Sequence, residues 1–65
     1  MTSTIFNGQT FNVGDTVRGI RCGMFVIVKI KAIGGETMAV VKATDGAGRV
    51  ASGTLALPFD AIVKA

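Results

Sequence analysis

The chain has four acids, Asp15, Glu36, Asp45 and Asp60, and each stands singly where a turn is expected. General acid–base catalysis commonly needs histidine or two carboxylates close enough to share the work. Histidine is absent and no acid pair is evident, so the acids read as structural. Asp15 and Asp45 are expected to accept hydrogen bonds from turn amides, and Asp60 to cap a single turn after Pro58. Cys22, the only thiol, lies beside Arg21, which can favour its thiolate, but the chain has no histidine to serve as its base. A buried or idle thiol is therefore expected. Gly46-Ala47-Gly48-Arg49 could cradle a phosphate, yet it leads into a strand and lacks the helix N-terminus on which such loops depend. It reads as a hairpin. A single cysteine without histidine also leaves no internal disulfide and no ligand set for a transition metal. No catalytic residue, cofactor or metal is expected.

The remaining candidates are the lysines Lys29, Lys31 and Lys42, which alternate with large apolar residues. Nine glycines separate short runs rich in β-branched residues, a pattern that disfavours helix and predicts strands. Thr4-Ile5-Phe6 and Gln9-Thr10-Phe11 flank Asn7-Gly8, a pair suited to a tight hairpin turn, so residues 3–12 are read as an N-terminal hairpin or arm. A strand over 16–20 follows the turn at Val13-Gly14-Asp15. The longest run, 24–33, ends at Gly34-Gly35, and 37–44 returns antiparallel to it. With those glycines as the whole turn, an unbroken ladder pairs Ala32 with Thr37, Ile30 with Ala39, Val28 with Val41 and Val26 with Ala43 on one apolar face. The opposite face then pairs Lys31 with Met38, Lys29 with Val40, Ile27 with Lys42 and Phe25 with Thr44. A further strand is expected over 49–57 with a bulge or bend at Gly53, then a single turn at Phe59-Asp60-Ala61 and a closing strand over 62–65.

At 65 residues, with no linker or repeat, the chain is read as one domain spanning 1–65. A domain this small buries only about 60% of the surface of its unfolded chain, and with disulfide and metal excluded, self-association is the remaining source of added stability. Phe6, Phe11, Phe25 and Phe59 are the only aromatic residues, so Val, Ile and Ala are expected to build the core. No apolar run approaches the roughly 18 residues of a membrane span, and no membrane partner is expected. Met1-Thr2-Ser3-Thr4 lacks the features of a signal peptide, which makes a soluble, cytoplasmic protein the expectation. The net charge of +3 favours an anionic partner without selecting one.

Phe11-Asn12-Val13-Gly14-Asp15-Thr16-Val17-Arg18 resembles the opening of many SH3-like small barrels, including KOW-type modules and the plasmid-encoded, trimethoprim-insensitive dihydrofolate reductases. Leu57-Pro58-Phe59-Asp60-Ala61-Ile62 is similar to the short 3₁₀ turn that precedes their closing strand. The resemblance covers roughly residues 11–18 and 55–64 and implies an all-β, SH3-like barrel of about five antiparallel strands. It implies no particular activity. The reductases bind folate and nicotinamide through a Val-Gln-Ile-Tyr segment, whose matching positions here are Thr54-Leu55-Ala56-Leu57, without the glutamine or the tyrosine.

The chain is therefore expected to be a non-catalytic binding module, self-associating as a homo-oligomer or taking a protein partner through Phe25, Ile27, Lys29, Lys31, Met38, Val40 and Lys42. The alternative partner is nucleic acid, contacted by Arg18, Lys29, Lys31, Lys42 and Arg49 with Phe25 stacking on a base. An oligomeric enzyme with a site shared between subunits is the further alternative.

Overall fold

The computed structural model describes residues 3–21 and 23–64, and the expectations that fall on Met1, Thr2, Cys22 and Ala65 lie outside the described residues. Among the described residues the chain is all-β. Its strands are β1 (Ser3–Phe6), β2 (Gln9–Asn12), β3 (Thr16–Gly19), β4 (Met24–Ile33), β5 (Glu36–Thr44), β6 (Leu55–Pro58) and β7 (Ile62–Lys64), with a 3₁₀ turn at Phe59–Ala61. No helix among them is long and apolar enough to cross a membrane.

β1 and β2 form a separate hairpin, while the other strands make a five-stranded antiparallel sheet in the order β6-β5-β4-β3-β7. This sheet has two ends and is not closed into a barrel. Both tight hairpins arise where the sequence places them. Gly34 and Gly35 have φ of 60° and 82°, and Asn7 and Gly8 have 51° and 76°. Consecutive left-handed residues of this kind give the turn whose twist matches that of the strands it joins.

From the Gly34-Gly35 turn the observed register follows the expected one through Ile33–Glu36, Ala32–Thr37, Lys31–Met38, Ile30–Ala39 and Lys29–Val40. It then slips. Ile27, rather than Val28, pairs with Val41, followed by Val26 with Lys42, Phe25 with Ala43 and Met24 with Thr44. Val28 is the extra residue of a β-bulge, which turns every side chain before it to the opposite face. Neighbouring backbone holds the slip in place: the Gly14 N–H donates to the Ile27 carbonyl at 2.7 Å, and the Ile27 N–H donates to the Asp15 carbonyl at 3.0 Å. Consequently Ile27 is only 1% exposed while Val28 is 37% exposed, the reverse of the unbroken ladder.

The core consists of Phe11, Val17, Ile27, Ile30, Ala39, Val41, Phe59 and Ile62. The small aliphatic residues expected there are joined by two phenylalanines, whose rings reach across from the N-terminal hairpin and the 3₁₀ turn. Phe6 stacks on Phe59 and Phe11 packs against it at a tilt, so the hairpin covers part of the core side of the sheet and leaves the outer face bare.

The expected strand over 49–57 is shorter than its residues promised. Val50 makes an isolated bridge to Thr44, the Ala51 N–H still donates to the Ala43 carbonyl at 2.8 Å, residues 52–54 leave the ladder, and pairing resumes only at Leu55. The Asp45 carboxylate accepts hydrogen bonds from Ala47 N–H at 2.8 Å and Arg49 N–H at 3.2 Å, while the Thr44 hydroxyl donates to the Arg49 carbonyl at 2.7 Å. Side chains thus take up backbone groups that an extended strand would have offered to β5. Asp15 accepts from Asn12 N–H at 2.8 Å, as its turn role requires. Asp60 does not cap the last turn. Pro58 occupies the cap position there, without a side-chain hydrogen bond.

Candidate functional site: a basic sheet face

The bulge redistributes the residues expected on the outer face. Lys29, Lys31, Lys42, Met38 and Val40 remain there, on alternating positions of β4 and β5. Phe25 and Ile27 do not. Phe25 pairs with Val17 and Ala43 and packs against the core, and Ile27 is part of that core. Neither presents itself on the surface with the lysines, because the extra residue at Val28 inverted their half of the strand.

Their places on the outer face are taken by Met24 and Val26, which pair with Arg18 and Thr16 of β3. Val63 of β7 pairs with Arg18 from the other side. The face therefore carries Arg18, Lys29, Lys31 and Lys42 across three adjacent strands, interleaved with Met24, Val26, Met38 and Val40. Arg18, Lys29 and Lys31 are exposed, and Lys42 and the four apolar residues are half-buried. Among the described residues the ion pairs are Arg49 with Asp45 at 4.0 Å and Lys64 with Asp15 at 3.9 Å, so none of these four cations has a carboxylate partner. Arg49 stands apart from them, on the 45–49 turn with Asp45.

Of the other carboxylates, Glu36 pairs with Ile33 at the hairpin tip, two positions from Met38 and so on the same face as Lys31, and it makes no ion pair among the described residues. Glu36 and Asp60 line a cleft with Thr4, Ile5, Phe6 and Phe59, where β1 approaches the 3₁₀ turn and the tip of the long hairpin. With Glu36 confined to the hairpin tip, Arg18, Lys29, Lys31 and Lys42 give the outer face a net positive field.

The chain matches no protein-family model, no curated protein and no solved structure. Geometry alone must carry the reading.

At the β3–β4 end, the outer face continues into an open groove of about 760 Å³ lined by Arg18, Ile20, Arg21, Met24, Val63 and Lys64. Lys64 is occupied at both ends of its reach, with Nζ 5.9 Å above the Phe11 ring and 3.9 Å from the Asp15 carboxylate. Arg21 was not among the sequence candidates. Its only sequence signal was its place beside Cys22, and nothing in the spacing placed it with Arg18. On the core side of the same turn lies an apolar cleft of about 220 Å³, formed by Ile20, Phe25, Leu57 and Ala61 with Gly19 and Arg21. It exists because the core does not extend to this end of the sheet. Leu55, paired with core residue Val41, points to the core side and is nevertheless 55% exposed.

Proposed function

We propose that the chain is a non-catalytic binding module of SH3-like type, whose outer sheet face holds a polyanion, and that nucleic acid is the partner it fits. The SH3-like reading rests on strand order: β3 to β6 run as a meander, and β7 returns beside β3 directly after the 3₁₀ turn. That is the arrangement implied by the resemblance of both chain segments to small barrels.

The partner follows from one observation. Arg18, Lys29, Lys31 and Lys42 share one face, and none of them makes an ion pair with a carboxylate among the described residues. Phosphates placed over such a face release condensed counterions, a sequence-independent gain that weakens as salt rises. The half-buried apolar residues between the cations present a dry surface to sugars and bases. The inward turn of Phe25 and Ile27 removes the largest apolar groups from this face and so favours a charged partner over a second copy of the chain.

Binding of a labelled oligonucleotide at two salt concentrations tests the reading. With about four phosphates neutralised, affinity falls on the order of a hundredfold between about 50 and about 200 mM salt. A flat response, or no binding at low salt, overturns it.

Self-association is the second reading, favoured by the exposure of Ile20, Leu55 and Val63. Light scattering that returns a stable multiple of the chain mass, unchanged by salt, supports it. Such an assembly would also be the first requirement of a shared-site enzyme built around residues 49–57.

A further inference from the structure

Of the four phenylalanines, Phe11 is buried and Phe6 and Phe59 line the cleft that holds Glu36 and Asp60, where a phosphate would be repelled. Phe25 is different. It lines the apolar cleft that adjoins the Arg18–Arg21 groove, and the two hollows share Gly19, Ile20 and Arg21 as a common wall. Arg18 and Arg21 have no carboxylate partner among the described residues, while Lys64 is held by Asp15. A basic groove on the outer side of the sheet therefore passes, across one turn closed by the Gly19 N–H to Gly23 carbonyl bond at 3.0 Å, into an apolar hollow on the inner side.

We propose that this end of the sheet docks an unpaired nucleotide, its phosphate between Arg18 and Arg21 and its base in the cleft against Phe25 and Leu57. The proposal rests on the nucleic-acid reading and sharpens it, because only a single strand can follow the basic face and then turn over the edge of the sheet. Paired bases are held in a stack and cannot enter the cleft without being unpaired. Arginine suits the phosphate position because its planar donors can hold two phosphate oxygens at once. A lone aromatic ring supplies stacking at one base only, so the site orders one nucleotide rather than a run.

The test compares a labelled oligothymidylate with a duplex of equal length at matched salt, using the wild-type chain and three variants. The wild type binds the single strand more tightly. Phe25→Leu, which keeps an apolar group but removes the ring, loses about tenfold in affinity for the oligothymidylate and leaves duplex affinity unchanged. Should Phe25→Leu fail to fold by circular dichroism, Ile20→Asp takes its place. Ile20 is 63% exposed, so the change spares the core while setting a carboxylate between groove and cleft, and it is expected to remove the single-strand preference. Lys29→Gln with Lys31→Gln and Lys42→Gln separates the two readings. If that variant loses binding while Phe25→Leu or Ile20→Asp binds the single strand as the wild type does, the polyanion face stands and nucleotide docking is refuted. Equal wild-type affinity for single strand and duplex also refutes it, and absence of binding to either removes both readings.

Discussion

The rings of Phe11 and Phe59 lie 5.1 Å apart between centroids and are tilted by 53°, joining the N-terminal hairpin to the 3₁₀ turn before β7. Residues distant in the chain thereby share one core contact. Phe11→Ala is expected to cost about 3–5 kcal/mol, the usual range for emptying a buried aromatic site. A domain this small has a stability toward the low end of roughly 5–15 kcal/mol, so the variant should keep only about 0–2 kcal/mol and lose its folded baseline early in a urea titration. A midpoint close to wild type would mean that the hairpin is dispensable to the core.

The bulge makes an opposed pair of predictions at adjacent residues. Ile27→Asp buries an unpaired carboxylate among Val17, Ile30 and Val41 and should abolish cooperative folding, at a cost above about 4 kcal/mol. Val28→Asp should be tolerated within about 1 kcal/mol, because Val28 reaches solvent. An unbroken ladder demands the opposite result, so thermal melts of the two proteins decide the register.

Each lysine of the outer face should carry its share of the salt dependence. Replacing Lys29, Lys31 or Lys42 singly by Gln is expected to lower the slope of log affinity against log salt by about 0.7 for a single strand or about 0.9 for a duplex. Arg49→Gln, removed from the face and beside Asp45, should leave the slope close to wild type. A slope that responds equally to all four would shift the contact surface toward the 45–49 turn.

Asp45 makes a structural prediction that is separable from binding. Its carboxylate serves the amides of Ala47 and Arg49, and Asp45→Ala is expected to lower stability by about 1 kcal/mol while nucleic-acid affinity stays the same or rises slightly. Chemical denaturation and the binding titration read the two effects independently. A loss of affinity would assign the turn a direct role that the geometry does not give it.

Much of the fold was legible because local chemistry encodes it. Asn7-Gly8 and Gly34-Gly35 announce tight turns, and Phe59–Ala61 has the length and context of a single 3₁₀ turn. The bulge was not legible. Between Met24 and Val28 both alternating sets of residues are apolar, so neither face is marked as the core by pattern alone. The decision falls to Gly14 and Asp15, whose backbone bonds to Ile27 come from a turn distant in sequence. The candidate site inherited that ambiguity. The lysines and Arg18 could be read as surface cations from their types, but Phe25 and Ile27 were assigned to their face by a ladder one residue out of step. The end of the predicted strand at Val50 was hidden for a related reason. Whether Asp45 and Thr44 side chains bond to the loop backbone or leave it to a ladder depends on a folded geometry that spacing does not specify.

The open sheet ends in strands of only four and three residues, β6 and β7. Pro58 offers no N–H to a chain laid along β6, and Lys64 puts a charge at the close of β7. A stray extended segment has little length on which to propagate, so the sheet stays open at both ends without offering a template for fibril growth.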